Sequence, residues 1–247
     1  MSIKSQIEFD KLRAIGRIVR RALDTMARSA QPGVTTAELD RIGAAVLADA
    51  GAESAPPKVY GFPNAVCISV NEEAIHGIPG DRTLQAGDLL KLDLVAEKDG
   101  FFADAALTVP VGSVSPDAAA LVRCAERAFE QGLKAARAGN RVYEIGRAVE
   151  REVKASGFSV IRELCGHGVV RTIHEAPSVP NFRDLRARMK LHEGLVITIE
   201  PIIAAGSGRA ELQSDQWTIS TCDGSLSAHY EHTVAITAND AILLTAA

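Results

Sequence analysis

Gly33, Glu38, Leu39, Arg41, Leu47 and Gly51 recur 106 positions later as Gly139, Glu144, Ile145, Arg147, Val153 and Gly157. Self-similarity at one fixed offset restricts a chain to architectures built from two copies of a unit. Six matches at a single offset favour duplication over the chance likeness of two amphipathic helices. Each copy reads as a helix pair. Phe9, Leu12, Ile15, Val19, Ala22, Leu23 and Met26 follow helical spacing and predict an amphipathic helix over 6–29, which Pro32-Gly33 breaks. Thr35 and Glu38 have the spacing of a capping box for the next helix, with Leu39, Ile42, Val46 and Leu47 inward and Gly51 at its end. In the second copy a helix is expected over 116–137.

A strand follows each helix pair. Gly87-Asp88-Leu89-Leu90-Lys91-Leu92-Asp93 and Gly194-Leu195-Val196-Ile197-Thr198-Ile199-Glu200 both open on Gly and close on an acid at the end of an apolar run. No Pro-rich or low-complexity linker separates the copies. The 247 residues therefore read as one domain, 1–247, with related halves at about 6–110 and 115–240 and pseudo-two-fold symmetry.

The closing acids are costly where they stand, because a carboxylate inside an apolar strand must be paired or metal-bound. Lys98-Asp99-Gly100 is a turn signal, so 89–109 reads as a hairpin with Asp104 on its second arm. A loop centred between 98 and 99 predicts Asp93 directly opposite Asp104. Opposed like charges want a shared proton or a cation; two surface acids on an edge hairpin are the bland alternative. The second half tips the balance. Glu200 takes the place of Asp93, and Glu231, opening the strand Glu231-His232-Thr233-Val234-Ala235-Ile236, supplies a partner. Four converging acids have capacity for two divalent ions, the arrangement of two-metal hydrolytic sites.

Three of the six histidines, His76, His167 and His174, lie beside small or turn-forming residues. The glycines flanking His167 are expected to let the backbone approach a ligand. A lone histidine is more often structural, but beside four carboxylates a nitrogen ligand is the better reading. His192 and His229 are expected at the surface or in packing. His232 alternates away from Glu231 and is expected to be structural.

The formal net charge is -4, with Lys and Arg scattered, so nucleic acid is not an expected partner. The N-terminus lacks the apolar run of a secretory signal, and no stretch is long enough to span a bilayer. None of the four cysteines forms a C-x-x-C pair. Together these imply a cytoplasmic chain with no membrane partner.

Eight segments then appear in one order: Gly61-Phe62-Pro63 with Cys67-Ile68-Ser69-Val70-Asn71-Glu72; His76-Gly77-Ile78-Pro79; Lys91-Leu92-Asp93-Leu94; Asp104-Ala105-Ala106; Gly166-His167-Gly168; His174-Glu175-Ala176-Pro177; Thr198-Ile199-Glu200-Pro201; and Tyr230-Glu231-His232-Thr233. In order and spacing, over essentially the whole chain, they resemble the type I methionine aminopeptidases of the pita-bread fold. The resemblance implies an α/β (α+β) fold with a pseudo-two-fold-symmetric mixed or antiparallel sheet and two helix pairs on its outer face. It implies Asp93, Asp104, His167, Glu200 and Glu231 as ligands of two divalent ions (Co, Mn, Fe or Zn), with Asp104 and Glu231 bridging. His76 and His174 would flank the scissile bond, and Glu200 would shuttle the proton as metal-activated water attacks the first peptide bond. A methionine side chain asks for a narrow apolar pocket, and Phe62, Cys67 and Trp217 are its candidates. The implied partners are the N-termini of nascent polypeptides, met at the ribosome by a monomeric enzyme.

The 26 positions from His174 to Glu200 leave no room for the large helical insertion of the type II enzymes. Val169-Val170, Ile173, Ala103 and Val59 depart from the family's usual residues, and Ile173 and Val59 are expected to reshape the cleft. The rival readings are a non-catalytic pita-bread binding protein, an enzyme of the fold with another first-residue preference, and a proline-directed peptidase. The first usually loses ligands that are intact here. The last usually carries an extra N-terminal domain.

Overall fold

A computed structural model describes residues 2–246 and realises the apolar periodicity as helices packed on a sheet. Helix α1 (Gln6–Ser29) buries Leu12, Ile15, Val19, Leu23 and Met26 along one stripe, each stabilising the fold by about 1.5–3 kcal/mol. Helix α2 (Thr36–Asp49) starts at the expected capping box, where the Glu38 carboxylate accepts from the Thr35 N–H at 2.7 Å. A short α3 (Pro56–Tyr60) follows, then α4 (Pro116–Ala135) and α5 (Val142–Ala155). The Glu144 carboxylate accepts from the Arg141 N–H at 3.0 Å, matching Thr35–Glu38 at the same offset. The turn glycines match too: φ is +96° at Gly33 and +91° at Gly139. Their N–H groups donate 2.9 Å bonds to Leu84 O and Leu191 O respectively. No helix among the described residues is long and apolar enough to cross a membrane.

Nine strands form one sheet. Its central path runs Leu89–Lys98, Phe101–Pro110, Glu231–Ile236, Val196–Ile199, Cys165–Gly168, with every pairing antiparallel. Strand alternation sorts the two faces. Leu92, Leu94, Ala103 and Ala105 join α1 and α2 in one core. Ile197, Ile199 and Val234 join α4 and α5 in another. Asp93, Asp104, Thr198 and Thr233 therefore point to the opposite face, away from the helices.

The hairpin register corrects the expected facing of the two aspartates. Lys98 pairs with Phe101, so the turn is Asp99-Gly100 alone. Both residues take positive φ (54° and 78°), which suits the right-handed twist of a two-residue hairpin. Asp93 pairs with Ala106, and Asp104 with Val95. The aspartates are diagonal rather than opposed, yet on one face, because the register differs from the expected one by an even number of residues.

Candidate metal centre and active-site cavity

The sheet itself assembles the acids. Cys67 pairs with Asp93, Asp93 with Ala106, and Ala106 with Glu231, so four strands contribute to one row. His232 pairs with Ile199, and the next rung brings Glu200 beside Glu231. Asp104 stands two residues along the central strand on the same face. All four carboxylates are buried.

Burial pushes the Asp104 carboxyl up to about 8. Burial first, and then repulsion from Asp104, hold Asp93 and Glu231 far above the usual carboxylate range. Glu200 is raised by burial too, against a hydrogen bond from Thr198 that lowers it. Among the described residues, no Lys or Arg forms an ion pair with the row. Asp104 Oδ1 and Glu231 Oε1 are buried without a hydrogen-bond partner.

His167 completes the set. Its Nδ1 lies 3.1 Å from Gly168 O, an acceptor only, so the proton sits on Nδ1 and Nε2 presents a lone pair. Nε2 is 3.5 Å from both Asp104 Oδ2 and Glu200 Oε1. Burial holds this imidazole at about 4, neutral at physiological pH. Asp104, His167 and Glu231 form one ligand cluster within 4.8 Å, and Glu200, His229 and Glu231 form a second that shares Glu231. Orphaned oxygens, a free imidazole lone pair and unneutralised carboxylates fit divalent cations by the chemistry of the donor set. Asp93 lines the same cavity, outside both clusters.

The glycines around His167 also serve the packing of the sheet. A Cβ on Gly166 would meet Thr198 O at 2.6 Å, and one on Gly168 would meet Ala176 O at 2.3 Å. They let neighbouring strands close on the His167 strand. The fully buried Thr198 hydroxyl accepts from the His167 N–H at 3.0 Å and donates to Glu200 Oε1 at 2.7 Å, so one side chain orients two candidate ligands. Thr233 Oγ1 accepts from the Asp104 N–H and donates to Asp104 O. Both threonines stand two residues from an acid on the same face, a spacing that could have marked them in the sequence.

His229, expected at the surface or in packing, has a more telling place. It is buried beside the cluster, with Nε2 3.5 Å from Glu231 Oε2 and neither ring nitrogen hydrogen-bonded. His232 turns away as expected: its ring bonds Thr245 Oγ1 at 2.8 Å and Tyr230 OH at 3.2 Å, and packs on Phe129. His192 is exposed.

A cavity opens over the acids. All ten side chains singled out in the sequence line it: Asp93, Asp104, His167, Glu200, Glu231, His76, His174, Phe62, Cys67 and Trp217. His76 holds a left-handed backbone (φ 59°), uncommon for a residue with a Cβ. Burial and nearby His174 lower its imidazole to about 4. The His174 ring meets His167 at 4.2 Å between centroids. Phe62 and Trp217 make an edge-to-face pair at 5.3 Å and 85°. Cys67 is buried opposite Asp93, and burial raises its thiol well above the ordinary range. Ile173 lines the cavity, but Val59 is exposed outside it, and the adjacent Tyr60 takes a place on the wall.

The raised carboxylates set the pH dependence of ion uptake. An entering cation must displace the proton that Asp104 retains below about pH 8 and those that burial holds on its neighbours, whereas His167 is already neutral. Apparent affinity therefore rises with pH, by about tenfold or more per unit between about pH 6 and about pH 8. Calorimetric titration with zinc checks this; a flat profile would show that no proton leaves.

The model of metallopeptidase family M24 matches residues 10–238. The chain is 43% identical over 247 residues to methionine aminopeptidase 2 of Bacillus subtilis, covering 99% of each. It is 42% identical over 243 residues to a methionine aminopeptidase of Clostridium perfringens, covering 98% of each. Its fold superposes on the crystal structure of methionine aminopeptidase from Thermotoga maritima with a TM-score of 0.97, at 33% identity and over 100% of both chains.

Proposed function

The chain belongs to metallopeptidase family M24, and on that premise we propose that it is a hydrolase removing the N-terminal methionine from polypeptides. One observation carries the reading: a buried carboxylate–imidazole cluster and an aromatic-lined apolar slot share a single cavity. We read the chain as one catalytic domain of two related halves. It would act as a monomer on nascent chains at the ribosome.

Asp93, Asp104, His167, Glu200 and Glu231 are the residues that would hold two divalent ions. Glu231 belongs to both clusters and Asp104 keeps an unpartnered oxygen, which suits each to a shared position. Oxygen-rich ligation with a single imidazole in this set suits Mn, Fe, Co or Zn. When bound, such ions supply the Lewis acidity that activates water near neutral pH and polarises a carbonyl.

The chain's own groups supply the rest. Thr198 holds Glu200 Oε1, and Oε2 is the atom assigned to carry the proton from water to the leaving amine. His174 and His76, both neutral, reach the first peptide bond from the cavity wall; His174 donates to the carbonyl oxygen as negative charge develops there. The methionine side chain lies against Phe62, Cys67 and Trp217.

Metal-dependent release of methionine from Met-Ala-Ser, with much slower release from a Leu-leading control, tests this. Failure with all four metals would favour a binding protein on the same fold. Within that assay, Trp217→Ala is expected to lower the Met:Leu ratio of kcat/KM tens-fold. Discrimination by packing is worth about 1–3 kcal/mol per methylene-sized change, so the loss is partial. A folded, metal-loaded variant with the wild-type ratio would remove Trp217 from the pocket.

A further inference from the structure

The cavity contains one polar side chain to which neither the ligand set nor the pocket assigns work. Tyr60 ends α3, and its hydroxyl lies 2.5 Å from His174 Nδ1, with the rings 5.5 Å apart at 44°. We propose that Tyr60 is a positioning residue that fixes the proton of His174 on Nε2 and aims that N–H into the cavity. The inference rests on the proposed role of His174 as donor to the carbonyl oxygen.

The donor–acceptor inventory carries the argument. A phenol keeps its proton at neutral pH, and partial burial together with the charge of Asp104 raises Tyr60 further above its ordinary value. Among the described residues the Tyr60 hydroxyl has no other hydrogen-bond partner, which assigns it as the donor in this pair and Nδ1 as the acceptor. A neutral imidazole that accepts at Nδ1 carries its hydrogen on Nε2. On its other side the His174 ring meets His167 at 61° between planes, so phenol and imidazole hold it from two directions. Without the phenol, nothing that bonds to Nδ1 decides between the tautomers.

The backbone explains how an exposed segment places a hydroxyl so closely. Pro56 is buried at the start of α3, and the Gly61 N–H closes the helix on Pro57 O. Gly61 takes φ +76°, turning the chain so that Phe62 inserts beside Trp217. Anchors on both sides leave Tyr60 at the rim, half exposed, while its neighbour Val59 points outside.

Tyr60→Phe keeps the ring and removes only the donor, so it separates positioning from simple coverage of the cavity. In the zinc-loaded protein, 15N NMR of the imidazoles, assigned with His174→Gln, should show wild-type His174 protonated on Nε2. In Tyr60→Phe the Nδ1 signal should shift, with loss of the single tautomer. On Met-Ala-Ser, kcat should fall about five- to tenfold with KM changed less than about twofold. Tyr60→Ala should add a rise in KM by uncovering the rim. A Tyr60→Phe protein with unchanged His174 signals and unchanged kcat overturns the proposal. Should the wild type release no methionine while Tyr60→Phe still shifts the His174 signals, the positioning stands and the peptidase reading falls.

Discussion

Asp104→Asn should yield a protein that folds, loses more than about a hundredfold in metal affinity, and releases methionine no faster than metal-stripped wild type. Loss of a mere supporting contact to a ligand costs about 10–100-fold in affinity, and a ligand costs more. Asp104 is buried 3.5 Å from His167 Nε2, with its second oxygen orphaned. An amide has the same shape but no charge with which to bind a cation. Stability should move the other way. Removing one of four crowded, uncompensated carboxylates relieves both burial and mutual repulsion, so the metal-free variant should melt no lower than metal-free wild type. Metal analysis, calorimetry and melting with and without zinc check both halves. A variant that keeps stoichiometric metal would remove Asp104 from the ligand set.

His174→Ala should leave metal content intact and lower kcat on Met-Ala-Ser by about 10²–10³, the usual loss for a donor aimed at developing charge. His174 meets the acid cluster through its ring contact with His167 and lines the cavity. Equal metal loss in His174→Ala and Asp104→Asn would show that the two residues do not divide ligation from catalysis.

Much of this centre was legible because it is written in strand alternation and local turns. Asp93, Asp104, Glu200 and Glu231 stood out as charges in apolar runs, and their period of two kept them on one face. The turn was misjudged by one residue, since Asp99 and Gly100 both accept positive φ and close the hairpin without Lys98. That error changed an opposed pair into a diagonal one but could not move either acid to the other face. His229 was less visible because Tyr230 lies outside the strands on either side of it, which hides its kinship with Glu231. The Tyr60–His174 bond was invisible in principle. It joins residues far apart in the chain through a short helix whose direction depends on two buried anchors, Pro56 and Phe62. The glycines beside His167 show a subtler limit: their smallness was evident, but only the packed strands reveal what presses against them.

The row of acids across four strands also bears on biogenesis. No hairpin or single half of the chain presents the full set, since Asp93 and Asp104 arrive from one half and Glu200 and Glu231 from the other. Under the proposed ligand set, a newly made copy would gain its cation only after the two halves had zipped along the Phe101–Pro110 and Glu231–Ile236 strands. Ion capture would then be a quality mark stamped on finished molecules, and misassembled ones would stay inert.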